Sequence, residues 1–335
     1  MHELYNTIKT KIAKTISQII IAPVPKHEGK TEKRISIEHA VGDFLKVQYY
    51  PKKTYGVRYI YQGQAGSDQI FDVLQSGKPC LVARFGRTEM TAVYAFLKYK
   101  HKMHKYPQAK LDNLGLLSGF FPGSHDALIR FCCEQLEVLQ HVDILACWNL
   151  YEEEQLCSQF ARNARLIDLI TSIPIWFDNP WSRYLQGKKV LVIHPFDATI
   201  KSQYQKRALL FANELVLPEF ELATIKAVQG LADSKDSLPY ANWFEALESM
   251  YRKIDAADFD IALIGAGAYG MFLGAYCKKL GKQAVHMGGG TQLLFGITGA
   301  RYDEGTWLQT NEHWVRPSVD ERPKGYEKIE NGCYW

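Results

Sequence analysis

Residues Phe259–Gly299 read FDIALIGAGAYGMFLGAYCKKLGKQAVHMGGGTQLLFGITG and restrict the fold more than any other stretch. Ile261–Ile264 is an apolar run of the kind a buried parallel strand needs. Gly265, Gly267 and Gly270 follow as a G-x-G-x-x-G turn that opens a helix. The helix runs through Leu273, Tyr276, Cys277 and Leu280 and stops at Gly281. Ala284–Met287 makes a second strand, and Gly288, Gly289 and Gly290 close it. Bare backbone at two strand ends, with N–H groups and a helix N-terminus turned outward, suits a phosphate-bearing ligand. The other reading of the same glycines is tight strand–helix packing alone. A dinucleotide site fits less well. It wants an acidic residue about 20 positions on, and this second strand ends at His286 and Met287.

The rest of the chain alternates strands and helices. Strands are expected over Cys80–Phe85, Asp143–Trp148, Leu166–Leu169, Lys189–His194, Glu221–Ala227, Asp260–Ile264 and Ala284–Met287. Helices are expected over Thr88–Lys98, His125–Gln140, Ser202–Phe211 and Tyr240–Ile254. Such alternation predicts an α/β, Rossmann-like fold: a mostly parallel sheet with helices on both faces. At 335 residues, 47% hydrophobic and 23% charged, the composition is that of an ordinary soluble globular protein. The seven cysteines form no C-x-x-C pair, which predicts buried thiols in a reducing, cytoplasmic setting. No apolar run reaches transmembrane length and no signal peptide is visible.

Net charge is +4, and residues 1–34 hold all of it, with seven Lys and Arg against three Glu. A neutral body does not suit a nucleic-acid binder. Leu4, Ile8, Ile12, Ile16, Ile19 and Ile20 add an apolar stripe to this arm, ended by Pro23 and Pro25. Residues 1–25 therefore read as an amphipathic helix, lying on an anionic membrane or packed against protein. A basic helix and linker over 1–34 and a single Rossmann-like domain over 35–335 are the expected organisation.

Ligands of parallel sheets sit at the carboxyl ends of strands. After the first strong strand come Arg84-Phe85-Gly86-Arg87-Thr88-Glu89. Arg84 and Arg87 offer planar forks of donors to phosphate oxygens. Gly86 allows a tight turn, and Thr88 is placed to cap the next helix. Glu89 can accept from a sugar hydroxyl, ligate a metal or act as a base; alternatively it pairs with Arg84. After the fourth expected strand come His194, Pro195 and Phe196, with Asp197 or Thr199 as helix caps. Trp148 ends the second strand, where an aromatic either stacks on a nucleobase or fills the core. Gln292 and Arg301 are polar groups suited to a diphosphate or sugar, and the C-terminal Gly332–Trp335 is expected to dock on the body.

The segment RFGRTE after an early strand resembles the R-[FIY]-G-D-G-E motif of glycosyltransferases with the GT-D fold. These were first described as a domain of unknown function in a streptococcal adhesin-glycosylation locus. GAGAYGMFLGAYCKKLGKQAVHMGGG resembles their late glycine turn, helix and strand. The ordered set of motifs, over Ser76 to Tyr302, is similar to proteins of bacterial capsule, O-antigen and cell-wall polysaccharide loci. The resemblance implies sugar transfer from a nucleotide-sugar donor, typically UDP-linked, onto a glycan or lipid-linked glycan. Glu89 and Arg87 are then the catalytic candidates. Arg84, Gly86, Thr88, His194, Gly265, Gly267, Tyr269, Gly270, Gly288, Gly289, Gly290 and Gln292 are the donor-binding ones. The chain departs from the pattern at Arg87, which stands where the family has an aspartate. A divalent Mn or Mg ion bridging the diphosphate would keep Glu89 alone and meet a positive charge. The family histidine of the late Gly-His pair is not carried over, because Met287-Gly288-Gly289 stands there. Rival readings are another Rossmann-type cofactor enzyme, or a non-catalytic member of a polysaccharide assembly complex.

Overall fold

The computed structural model of the chain describes residues 54–99, 106–231, 237–303 and 308–335. The N-terminal helix and linker expected over 1–34 lie outside them. Among the described residues no helix is long and apolar enough to cross a membrane.

Nine strands form one sheet: β1 (Thr54–Tyr55), β2 (Arg58–Tyr61), β3 (Cys80–Arg84), β4 (Ile144–Cys147), β5 (Arg165–Asp168), β6 (Lys189–His194), β7 (Glu221–Lys226), β8 (Ile261–Ile264) and β9 (Gln283–His286). Their order is β1-β2-β5-β4-β3-β9-β8-β6-β7. Every pair is parallel except β1 with β2. All seven strands expected from the sequence are present; β1 and β2 are additional.

The α/β class follows from how each strand divides its side chains. Leu81 and Ala83 of β3, Leu191 and Ile193 of β6, and Ala262 and Ile264 of β8 join one core. Their neighbours Cys80, Val82, Val190, Val192, Ile261 and Leu263 join a second core on the opposite face. Both faces of a period-2 strand are thus apolar and covered, which is why these strands read as continuous apolar runs.

The first core is covered by α2 (Arg87–Tyr99), α3 (Gln108–Ser118), α4 (His125–Leu139), α5 (Tyr151–Phe160), α8 (Trp243–Asp255) and α9 (Gly270–Lys279). The second is covered by α1 (Gly63–Gln75), α6 (Asp197–Tyr204), α7 (Arg207–Leu210), α10 (Gly290–Leu294) and the C-terminal segment through Trp335. Two helix starts are fixed by a side chain in the usual way. Ser124 accepts from the Ala127 amide at α4, and Asn242 accepts from the Glu245 amide at α8.

The helix expected over Ser202–Phe211 is corrected. Helix α6 starts earlier, at Asp197, and a break separates it from α7. Neither Asp197 nor Thr199 caps it. Glu321, far along the chain, accepts from the Ala198 and Thr199 amides instead. A remote cap of this kind leaves no local signal.

Strand order places the site. From β3 the chain moves outward through β4 and β5, then crosses to β6 and β7 on the other side. It returns inward through β8 to β9, which pairs with β3. The direction of progression reverses at β3. The carboxyl ends of β3, β9, β8 and β6 therefore lie side by side, where open α/β sheets leave a crevice.

Candidate active site

A cleft of about 390 Å³ opens over these strand ends, within the size range of small-molecule sites. Residues from β3, β6, β8 and β9 meet in it, together with α3 and the C-terminal segment.

One wall is backbone. Gly265 follows β8, and a Cβ there would lie 2.5 Å from His194 Cδ2 and 2.7 Å from the Gly288 oxygen. Only glycine lets these three strand ends converge. A Cβ on Gly270 would lie 2.1 Å from the His286 ring, and one on Gly290 would lie 2.7 Å from Ile173. These three glycines serve close packing. Gly267 differs: its φ is +51°, and the nearest atom to an added Cβ is 3.7 Å away. It lines the cleft, as do Gly288 and Gly289. Gly288 has φ +59°, and a Cβ there would lie 2.9 Å from Arg84 Nη1. The turns thus combine both readings of the sequence, packing glycines alternating with glycines that bare their backbone to the cleft.

Two histidines stand in this wall. The Phe196 amide donates to His194 Nδ1 at 3.0 Å, so the imidazole proton sits on Nε2. His286 Nδ1 lies 3.1 Å from the Ile264 carbonyl, which can only accept, so here Nδ1 carries the proton. Burial lowers the His194 pKa to about 3. Burial, helped by the Arg84 cation, does the same for His286. Both rings are neutral at physiological pH, in opposite tautomers. His286 was not among the expected site residues. Its signal in the sequence was its place at a strand end, two residues before a glycine run.

The opposite wall is built from side chains of the RFGRTE segment. Arg84 Nε donates to the Phe85 carbonyl at 2.9 Å, and the guanidinium lies 4.6 Å from the Trp148 ring centre. Burial lowers its pKa, a desolvation cost that a bound anion would offset. Glu89 folds back over the turn, where a Cβ on Gly86 would lie 1.8 Å from its Oε2. The absence of a side chain at Gly86 leaves the room that this carboxylate occupies. The carboxylate accepts from its own amide and from Ser118, and burial raises its pKa. Thr88 lies within α2 and does not precede it as a cap. Arg87 opens α2 and is half-buried in the cleft lining. Among the described residues, Arg84, Arg87 and Lys110 form no ion pair.

Of the expected donor-binding residues, Tyr269 and Gly270 lie behind the wall. Tyr269 is buried, stacked on Trp243 at 4.7 Å, and Gly270 packs on His286. The remaining expected residues, including Thr88, His194, Gly265 and Gln292, line the cleft. Gln292 is held by its Nε2, which donates to Ile297 and Tyr334 carbonyls at 3.3 and 3.5 Å. Arg301 is occupied by Glu330 at 2.5 Å and by Cys333 Sγ at 2.8 Å. Missed residues are Lys110 and Asn113 on α3, Gln229, and the aromatic pair Tyr334 and Trp335. Lys110, Asn113 and Leu117 recur at helical spacing, a stripe that faces the cleft.

A divalent ion does not fit this donor set. Glu89 is already engaged by its own amide and Ser118, and a cation occupies the second motif position. Among the described residues, no group of three His, Cys, Asp or Glu is arranged to hold a metal ion.

No known protein family and no curated protein matches the chain. Solved structures of the domain of unknown function 1792 do. A selenomethionine-substituted one matches 76% of this chain and 94% of its own length, at 13% identity and a TM-score of 0.41. One described as a new glycosyltransferase from Streptococcus sanguinis matches 78% and 99%, at 12% identity and 0.41. A third, described as having a distinct glycosyltransferase fold, matches 76% and 94%, at 15% identity and 0.39. The chain is similar to these in fold.

Proposed function

We propose that the cleft binds a nucleoside-diphosphate sugar, UDP-linked, and transfers the sugar to a glycan or lipid-linked glycan acceptor. The observation that carries this reading is the meeting of two bare-backbone glycine turns with arginines that form no ion pair among the described residues, over the crevice of a parallel sheet. Diphosphate is the ligand that such a combination recognises: amides at Gly267, Gly288 and Gly289 for its oxygens, and Arg84 and Arg87 for its charge. In glycosyl transfer the transition state is oxocarbenium-like, and negative charge grows on the departing diphosphate. Arg84 and Arg87 are placed to take up that charge without a metal ion. Glu89, with its raised pKa, is the carboxylate available to accept a proton from the acceptor hydroxyl. Lys110 and Asn113 on α3, facing this turn, form the polar wall where an acceptor would enter.

Within this reading the chain acts in bacterial surface-polysaccharide synthesis in the cytoplasm. Its basic N-terminal 1–25 segment supplies contact with the anionic membrane that carries lipid-linked acceptors.

A thermal-shift series tests the ligand. UDP or a UDP-sugar should raise the melting temperature, by about 2.7 kcal/mol of stabilisation at 100 times the dissociation constant. NAD and S-adenosylmethionine should not. Stabilisation by NAD alone would end the proposal. Glu89→Gln should keep UDP affinity and lose most donor turnover; full activity in that variant would reduce Glu89 to a structural partner of Ser118.

A further inference from the structure

Beneath the arginine wall lies a carboxylate that the proposed chemistry does not use. Glu153, on α5, is fully buried. Its Oε2 accepts from the Tyr55 hydroxyl at 2.5 Å and from the Trp148 amide at 2.7 Å. Trp148 is in turn pinned at its other end, where its indole Nε1 donates to the Phe85 carbonyl at 2.8 Å. The same carbonyl takes Arg84 Nε at 2.9 Å. The indole face lies 4.6 Å from the Arg84 guanidinium, within cation–π range. The chain of contacts is continuous from Tyr55 on the edge hairpin, through Glu153 and Trp148, to Arg84 in the cleft.

A buried carboxylate is expensive, and a strand-end turn does not need one to form. We infer that Glu153 is a positioning residue: it fixes the backbone at Trp148, so that the indole becomes a rigid platform holding the Arg84 guanidinium toward the Gly288 turn. The inference rests on the reading of Arg84 as a diphosphate ligand. Preorganisation is what it adds. A long, flexible arginine side chain loses rotamer freedom on binding an anion, and a platform that has already removed that freedom strengthens binding. Glu153 does not itself line the cleft; it reaches Arg84 through Trp148 and through the attraction between carboxylate and guanidinium, and Glu153→Gln, which lacks the charge, isolates the first of these.

A double-mutant cycle read by isothermal titration with UDP tests this, alongside NMR of the Arg84 Nε–H in the ligand-free protein. Glu153→Leu, of similar volume, should weaken UDP binding about tenfold, and Glu153→Gln, which can still accept from the Trp148 amide, should restore most of it. In an Arg84→Ala background Glu153→Leu should change UDP affinity no further. The Arg84 Nε–H, protected in the wild type, should lose protection in Glu153→Leu. If Glu153→Leu does not fold, Tyr55→Phe replaces it, with a smaller loss of affinity that again vanishes without Arg84. Equal losses with and without Arg84, or an unchanged Nε–H signal in a folded variant, would overturn the inference. A wild type that ignores UDP while its Nε–H responds to Glu153 would refute the donor-binding reading and leave the positioning role standing.

Discussion

The two walls of the cleft are made of different material. On the β8–β9 side, packing glycines bring three strand ends within van der Waals reach, and the ligand-facing surface is main chain. On the β3 side, the surface is arginine, glutamate and tryptophan, held from behind by Tyr55, Glu153 and Ser118. The first wall depends on the absence of atoms and the second on hydrogen bonds between distant segments. An added methyl should therefore damage the first wall more than the loss of a side chain damages the second. Ligand affinity should respond in the reverse order.

The largest expected effect is on stability, at Gly270. A Cβ there would lie 2.1 Å from the His286 ring, and neither the helix nor the buried ring can move away freely. Gly270→Ala should cost about 3 kcal/mol, at the upper end for overpacking. Gly267→Ala meets only an ordinary contact, the Ser118 oxygen at 3.7 Å, but has φ +51°, so it should cost about 1–2 kcal/mol of backbone strain. Its methyl would project toward the ligand-facing backbone, so it should also weaken UDP binding. Urea unfolding of the two variants checks the order. Equal stability would mean that the glycine wall is looser than its geometry states.

Arg84→Ala carries the comparison to the other wall. Hydrogen bonds to charged groups contribute about 1.5–3 kcal/mol, so UDP affinity should fall by one to two orders of magnitude. Stability should hardly fall, since the substitution removes a desolvated cation that lacks an ion pair among the described residues. Calorimetry with UDP and a melting curve on one preparation suffice. A large loss of stability with intact affinity would show that Arg84 is a structural strut.

This contrast also explains what was legible in the sequence. The glycine wall is built mainly from Ile261–Gly290, with His194 and Ile173 packed against it from outside, and its strands, its turn and the Gly288 run can be read in that segment. The expected strand ends fall within one residue of the observed ones, so the polar residues at and after them, Arg84, Glu89 and His194, were legible too. The supports behind the arginine wall were not legible. Strand β1, which carries Tyr55, is two residues at the sheet edge. Helix α5, YEEEQLCSQF, has three glutamates in its first turn and few apolar positions to show a period. Helix α3 places leucines at positions 111, 114, 116 and 117, too evenly spread to mark one face. Glu153 pairs with Tyr55, 98 residues away, and no local pattern announces such a partner. Tyr269 was misplaced for the converse reason. The turn motif marks where backbone approaches a ligand but not which way the side chain between the glycines points, and here it points into the core against Trp243.

The subtlest comparison separates the walls by the sign of their response to acid. His194 and His286 have pKa values lowered from 6.5 to about 3. The unfolded chain binds protons there that the folded chain refuses, so their contribution is present above pH 6.5 and is lost as pH falls toward 3. Glu153 runs the other way. Burial raises its pKa from 4.5 to about 7, so the folded chain holds a proton that the unfolded chain has released. Its contribution is present below pH 4.5 and is lost as pH rises through 7. Acid thus loosens the glycine wall and firms the support of the arginine wall. Each group changes the slope of stability against pH by about 1.4 kcal/mol per pH unit within its window. Measured by urea unfolding between pH 4.5 and 6.5, His286→Gln should make the slope shallower by that amount, and Glu153→Gln should make it steeper by the same amount. Parallel slopes in wild type and both variants would mean that neither wall holds its titratable groups away from water, and the division between them would fail.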